Sequence, residues 1–245
     1  MSDPTSDLAG TMHALGWRTA ADVLAAFVNH ATKTRLSPMQ TLEQLALLER
    51  RERDARNLAR RTKLATLGRI KALDQFDFSH PRKIDRQLCE RLLTLDFLAL
   101  GDNVLLRGPS GVGKTTLAQN LALTALQHGH TVRFSTLAAA LTDLLKQESL
   151  PALERRLRRY TNPSLLVIDE IGYLPCDSRA ADLLYNIISR RHLQRSTIIT
   201  TNLPFKQWGT IFPGAACVAA LVDRFTENCH VMDIEGESWR QRKQR

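Results

Sequence analysis

The spacing of apolar positions divides this chain into two stretches of different character. Up to about residue 71, apolar residues recur at helical spacing or without a period. Residues 1–18 are mixed, contain Gly10 and Gly16, and predict a mobile start. Val23, Leu24, Phe27 and Val28 predict a helix over residues 19–31. Ser37-Pro38-Met39-Gln40 follows, with an N-cap serine, proline at the first helical position and glutamine at the third. It opens a second helix that runs past Arg60. Ser79-His80-Pro81 interrupts any helix. The boundary therefore falls near residue 72, between an all-helical N-terminal module (1–71) and a larger domain (72–245).

In the larger domain the pattern alternates. Leu88, Leu92 and Leu95 share one side of a helix over residues 85–99, ended by Gly101. Short apolar or β-branched runs then predict strands at 103–106, 130–135, 164–170 and 196–202. Between them, helical spacing predicts a helix from about Lys114 to the C-cap Gly129, then helices over 137–147, 151–160 and 182–194. Asn162-Pro163 is a turn, and Arg224 sits on a further helix around 219–225. Strands alternating with helices imply an α/β fold with a parallel sheet flanked by helices.

Composition and charge add a partner class. The chain has 245 residues, 43% of them hydrophobic and 24% charged, as in a soluble globular protein with an ample core. Its net charge is +9 and its isoelectric point about 9.8. Such a balance suggests an anionic partner, most often nucleic acid, although a basic tail alone would give the same number. Nine basic residues against three acids lie between Glu49 and Lys71. That stretch is a solvated face or a contact surface for DNA or an acidic protein. The cysteines, Cys89, Cys176, Cys217 and Cys229, form no C-x-x-C pair, and the histidines complete no ligand set. Neither zinc nor a disulfide framework is expected. There is no signal-peptide pattern and no apolar run near the roughly 18 residues of a membrane span, so a cytoplasmic protein outside the membrane is expected.

The candidate chemistry begins at Gly108-Pro109-Ser110-Gly111-Val112-Gly113-Lys114-Thr115-Thr116. The form G-x-x-x-x-G-K-T, after a buried strand and at the start of a helix, is a P-loop. Its glycines turn amides toward phosphates, and the helix adds its positive end. Lys114 suits the β- and γ-phosphates of ATP, and the Thr115 hydroxyl suits Mg²⁺. Leu165-Leu166-Val167-Ile168-Asp169-Glu170 is a Walker B strand. Its position puts Asp169 at the carboxyl end of a buried strand to hold Mg²⁺, and Glu170 there as general base for the attacking water. Asn202, at the end of the next strand, can reach toward the γ-phosphate, or can serve as a turn residue before Pro204. Arg224 can supply a cation to phosphoryl transfer, or can pair with Asp223 or Glu227; the residues alone leave this open. A second basic cluster, Arg155, Arg156, Arg158 and Arg159, lies on one predicted helix.

These motifs, with I-I-T-T-N-L-P-F, V-D-R-F and the late G-E-S-W-R, resemble those of the IstB-like helper ATPases of insertion-sequence transposition. These are AAA+ proteins related to the DnaC-type loaders of replicative helicases. The resemblance covers about residues 35–243, and its more specific part runs from Thr200 through Arg240. It implies an AAA+ ATPase core without a large lid, with ATP and Mg²⁺ as cofactors. It makes Asn202 the sensor-1 residue and Arg224 an arginine finger acting in the neighbouring subunit. It places Arg155, Arg156, Arg158 and Arg159 toward a DNA channel, or between subunits. The implied partners are duplex DNA, a cognate transposase and further copies of the chain in an ATP-dependent homo-oligomer. The N-terminal module would contact transposase or DNA. A helicase loader is the alternative function. Trp239 stands where the family motif has tyrosine, which leaves a sensor role for Arg240 open.

Overall fold

The computed structural model describes residues 4–172 and 177–239, with side chains from Asp7 onward. Cys176 and the 240–245 tail, which includes Arg240, lie outside the described residues. Two compact units divide between Arg60 and Arg61.

The first unit is helical. Where no period was expected, Pro4–Ala14 forms α1, with Asp7 in its first turn beside the positive end of the helix dipole. Helix α2 spans Ala21–Lys33 and buries Leu24 and Ala31. Helix α3 (Pro38–Ala65) opens on the expected capping box. The Gln40 amide donates to Ser37 Oγ at 3.3 Å, and the Ser37 amide donates to Gln40 Oε1 at 3.0 Å.

Glu49 gives this unit a polar anchor that its place in a basic run does not reveal. Only 5% exposed, it accepts from the Arg18 amide at 2.9 Å, the Thr19 amide at 2.8 Å, Thr19 Oγ1 at 2.7 Å and Arg53 Nε at 2.5 Å. Burial pushes the Glu49 carboxyl up. The hydrogen bonds from Arg53, Thr19 and Arg18 outweigh burial and bring its pKa down to about 2, from 4.5. A depressed carboxylate stabilises the fold fully above its unfolded pKa and loses that contribution as pH falls through the folded one. The N-terminal unit is therefore expected to weaken between pH 4.5 and about 2. Glu49→Gln should remove most of that dependence, as read by amide exchange at Arg18 and Thr19. An unchanged acid limb in the variant would remove Glu49 from the account.

The second unit is a parallel five-stranded sheet in the order β2-β3-β4-β1-β5. Its strands are β1 (Asn103–Arg107), β2 (Val132–Thr136), β3 (Leu165–Ile171), β4 (Ser196–Thr201) and β5 (Cys229–Asp233). The parallel sheet flanked by helices is as expected. Strand β5 was not: its run is short and interrupted by His230, and Val231 is left exposed, because an edge strand has one open side. It is held beside β1 by the Arg107–Asp233 fork at 2.6 and 2.7 Å.

The inner strands β1, β3 and β4 are buried almost throughout because both faces are covered, β4 through hydroxyl residues around Ile198 and Ile199. Helix α6 (Lys114–Gln127) packs on one face. Leu105, Leu166, Ile168 and Ile199 share a core on the other with α7 (Leu137–Leu145), α8 (Leu150–Thr161), α9 (Ser178–Arg191) and α11 (Val218–Thr226). A short α10 (Trp208–Ile211) buries Trp208 in the same core.

The single helix expected over 85–99 is two helices, α4 (Arg86–Leu93) and α5 (Asp96–Leu100). Thr94 Oγ1 donates to the Arg91 carbonyl and to Asp96 Oδ2, each at 2.8 Å, and Leu95 turns left-handed at φ 67°. This local hydroxyl alternative ends the first helix. Among the described residues no helix is long and apolar enough to cross a membrane.

Candidate active site

Strand β1 delivers the chain into a loop whose backbone only glycine permits. Gly113 caps α6 in a left-handed conformation, φ 98°, and a Cβ there would lie 2.4 Å from Phe76 Cε2. Gly111, φ 81°, passes under Ser238, whose Oγ would lie 2.2 Å from an added Cβ. The Lys114 side chain folds along the loop and donates to the Gly108 carbonyl at 2.7 Å and the Pro109 carbonyl at 2.6 Å.

The sheet order brings the other candidates to this loop. Strand β4 lies between β1 and β3, so the strand leading to Asn202 runs beside the Walker strand. The Gly108 amide donates to the Thr201 carbonyl at 3.1 Å. Asp169, 3% exposed, accepts from Thr115 Oγ1 at 3.1 Å and from the Thr200 hydroxyl. Thr200 Oγ1 also accepts from the Glu170 amide at 3.0 Å.

Here the β3–β4 register shifts between Ile168 and Ile171, and Glu170 takes φ 64°. A non-glycine residue held left-handed costs about 1–2 kcal/mol. The distortion turns the Glu170 side chain out of the pleat into an exposed position on the cavity wall. The cavity has about 400 Å³, and its walls include Gly113, Lys114, Thr115, Glu170 and Thr200. Asn202 Oδ1 is buried without a hydrogen-bond partner among the described residues, beside Gly172.

The matched region fits this geometry. Residues 10–245 match the family described as IstB-like ATP binding protein. The chain belongs to that family. An IS21 ATP-binding protein from Pseudomonas aeruginosa is 35% identical over 218 residues, covering 89% of this chain and 82% of the relative. Its counterpart in IS5376 from Geobacillus stearothermophilus is 32% identical over 233 residues, covering 95% and 93%. Among solved structures, DnaI aligns with a TM-score of 0.53 and 18% identity over 61% of this chain and 84% of its own. AMPPCP-bound DnaA from Aquifex aeolicus aligns with a TM-score of 0.52 and 19% identity, over 66% of this chain and 52% of DnaA. At such identities the likeness shows the fold, that of the AAA+ P-loop ATPases.

Two sets of candidates in this IstB-like chain lie elsewhere. Arg224, on α11, does not line the cavity. Its guanidinium meets the Ser189 hydroxyl and lies 4.9 Å from the Tyr185 ring centre. Neither acid left open at the sequence level is its ion partner; Glu227 pairs with His192 at 2.6 Å. On α8, Arg155, Arg158 and Arg159 are exposed, whereas Arg156 pairs with Asp143 at 3.2 Å. Tyr160 Oη donates to the same carboxylate at 2.9 Å. Arg156 thus ties α8 to α7.

Thr200 was missed by reasoning on sequence, although a hydroxyl next to the end of the strand beside Walker B marks the place. The far wall of the cavity was missed as well. It is built by Phe76, Asp77 and His80 from the interrupted segment and by Trp239 from G-E-S-W-R. Only the aromatic residues gathered at 76–80 pointed to it. Phe76 and Phe78 stack edge-on at 4.8 Å.

Proposed function

We propose that this protein is an ATP hydrolase that assembles as a homo-oligomer on duplex DNA and recruits or stimulates the transposase of an insertion sequence. One observation carries the ATPase step: Lys114, Thr115 and Glu170 line a cavity of about 400 Å³, large enough for a nucleotide, with the buried Asp169 carboxylate held behind its wall by the Thr115 and Thr200 hydroxyls. Relatives named for insertion sequences support the transposition setting.

In this proposal the P-loop amides and Lys114 bind the β- and γ-phosphates. Thr115 and Asp169 supply hard oxygen donors 3.1 Å apart, a set that fits Mg²⁺. Among the described residues no group of three or more His, Cys, Asp or Glu forms a metal cage. Mg²⁺ characteristically takes one or two carboxylates and completes its shell with water and phosphate. When bound, the ion neutralises charge on the phosphate oxygens. Glu170 accepts a proton from the attacking water as its oxygen bonds to the γ-phosphorus and the bond to the β,γ-bridging oxygen breaks. Asn202 is proposed as the sensor for that water on the family resemblance; its Oδ1 is buried beside Gly172, off the cavity wall. Because Arg224 stands off its own cavity, we assign it to the nucleotide of a neighbouring copy.

The exposed Arg155, Arg158 and Arg159 are the proposed DNA contacts. Arg155→Ala and Arg158→Ala are each expected to lower the log–log salt slope of duplex binding by about one. An unchanged slope would place them away from DNA. The assembly itself is tested by measuring duplex binding and oligomer mass with ATP and with ADP. Absence of ATP-dependent binding would end the proposal. The helicase-loader alternative rests on fold alone. A pull-down against a transposase and a hexameric helicase separates the two.

A further inference from the structure

We infer that the strap formed by residues 234–239 is part of the nucleotide site, and that Trp239 with His80 forms the wall that takes the purine ring of the nucleotide. This rests on the proposal that the cavity binds ATP and extends it from the phosphates to the base.

The strap follows β5 and is fastened along its length. It begins with the Ile234 amide donating to the Arg107 carbonyl at 2.8 Å. Glu235 then forms an antiparallel bridge with Lys83, amide to carbonyl at 3.1 and 2.9 Å in the two directions. Its carboxylate also meets Arg82 at 2.9 Å and Lys83 at 3.6 Å. Gly236 lies so close to Pro81 that an added Cβ would be 3.1 Å from the Pro81 Cα. Trp239 finally donates its amide to the Gly111 carbonyl at 3.1 Å. The strap therefore leaves the end of β1, passes Gly108, where an added Cβ would lie 2.1 Å from the Ile234 carbonyl oxygen, and reaches the middle of the P-loop at Gly111.

The ring pair closes the structure on one side. His80 and Trp239 meet edge to face at 4.6 Å, and His80 Nε2 is 3.0 Å from the Glu237 carbonyl. Both rings line the cavity together with the P-loop. The cavity is lined by the P-loop with Lys114 and Thr115, by Thr200, and by the cations Arg69 and Lys71. The same lining holds three aromatic rings, Phe76, His80 and Trp239, next to the P-loop glycines. A phosphate has no use for aromatic rings. A planar heterocycle does, because stacking on an indole or imidazole replaces water on an apolar face. The larger purine offers more stacking area than a pyrimidine, so this wall favours ADP over CDP. The residue substituted in the family motif, tryptophan for tyrosine, is thereby given a task that needs a ring and not a phenol.

The test uses the full chain and titrates ADP, CDP and inorganic tripolyphosphate by calorimetry and tryptophan fluorescence. Trp239→Ala is expected to raise the Kd for ADP about tenfold and to shrink the ADP-over-CDP preference. It should leave tripolyphosphate binding unchanged, since that probe has no base. Trp239→Phe, which keeps a ring, should bind ADP within about twofold of wild type. In a Trp17→Phe background the ADP-induced fluorescence change should vanish in Trp239→Phe, because the remaining Trp208 is fully buried and does not line the cavity. The inference is overturned if Trp239→Ala binds ADP as wild type does. It is also overturned if that variant loses ADP and tripolyphosphate equally, for the strap would then act only by holding the P-loop. Should Trp239→Ala not fold, a fluorescence change that persists in Trp239→Phe overturns it alone. If the wild-type protein binds neither ADP nor tripolyphosphate, the failure belongs to the ATP proposal.

Discussion

Glu170→Gln protein is expected to bind ATP with near wild-type affinity and to hydrolyse it slower by a factor on the order of 10²–10⁴, the range general-base removal costs. Glutamine keeps the shape of the side chain and the backbone amide that donates to Thr200 Oγ1 at 3.0 Å. The bulge and the left-handed backbone at residue 170 therefore persist. What disappears is the carboxylate that accepts the water proton. ATP should accumulate on the protein, and the DNA-bound oligomer should outlive that of wild type. Single-turnover hydrolysis and nucleotide affinity, measured together, separate this from a folding defect. Equal turnover in the variant would remove Glu170 from the mechanism.

Thr200→Val is the informative companion. Its hydroxyl is the shared partner of the Glu170 amide and the Asp169 carboxylate. Losing it should cost both positioning of the base and affinity for the metal-bound nucleotide.

The largest effect on stability is expected at Arg191. The residue is 1% exposed, and its guanidinium has no carboxylate partner among the described residues. It donates to the carbonyls of Tyr160 at 3.1 Å, Thr161 at 3.2 Å, Pro163 at 2.7 Å, Ser164 at 3.3 Å and Ser196 at 2.5 Å, and to Thr197 Oγ1 at 3.0 Å. The first two are carbonyls at the end of α8, where the helix dipole is negative. Burial, and then the Arg195 charge, pull the Arg191 pKa down to about 9, which leaves the group charged at neutral pH. One side chain thus closes the α8 end, the turn into β3 and the start of β4. Arg191→Met should destabilise the ATPase unit by about 3–5 kcal/mol, because several buried carbonyls lose their donor. Arg191→Lys should rescue little, since a single ammonium cannot span the set. Denaturant midpoints measured at constant slope would show it. A loss below about 1 kcal/mol would mean that water replaces the guanidinium.

Arg191 also shows what was not legible in the chain. In sequence it is one of two arginines ending a helix, and it looks like its exposed neighbour Arg190, which pairs with Glu154 at 2.8 and 2.7 Å. Helical phase alone separates them, and only when the surroundings are known. Arg156 was grouped with the exposed arginines of α8 for the same reason. Its ion pair depends on Asp143, a residue of a different helix. The two helices within 85–99 read as one because the break is made by the Thr94 hydroxyl and not by a glycine or proline.

The sequence by itself determined the parts whose chemistry is local. A P-loop needs neighbouring residues in one turn, so Gly108–Thr115 could be read directly. The Walker strand needs a buried run with acids at its end, and the capping box needs two residues three apart. A parallel sheet follows from the alternation of periods. Tertiary structure decided what depends on contacts between distant segments. The sheet order placed β4 between β1 and β3 and made Thr200 the bridge between Asp169 and Glu170. The β3 bulge turned Glu170 into the cavity. The strap from β5 brought Trp239 to His80 across more than half the chain. Such contacts leave no period or spacing in the sequence, because the energy that selects them comes from packing and hydrogen bonds made only after the chain has folded.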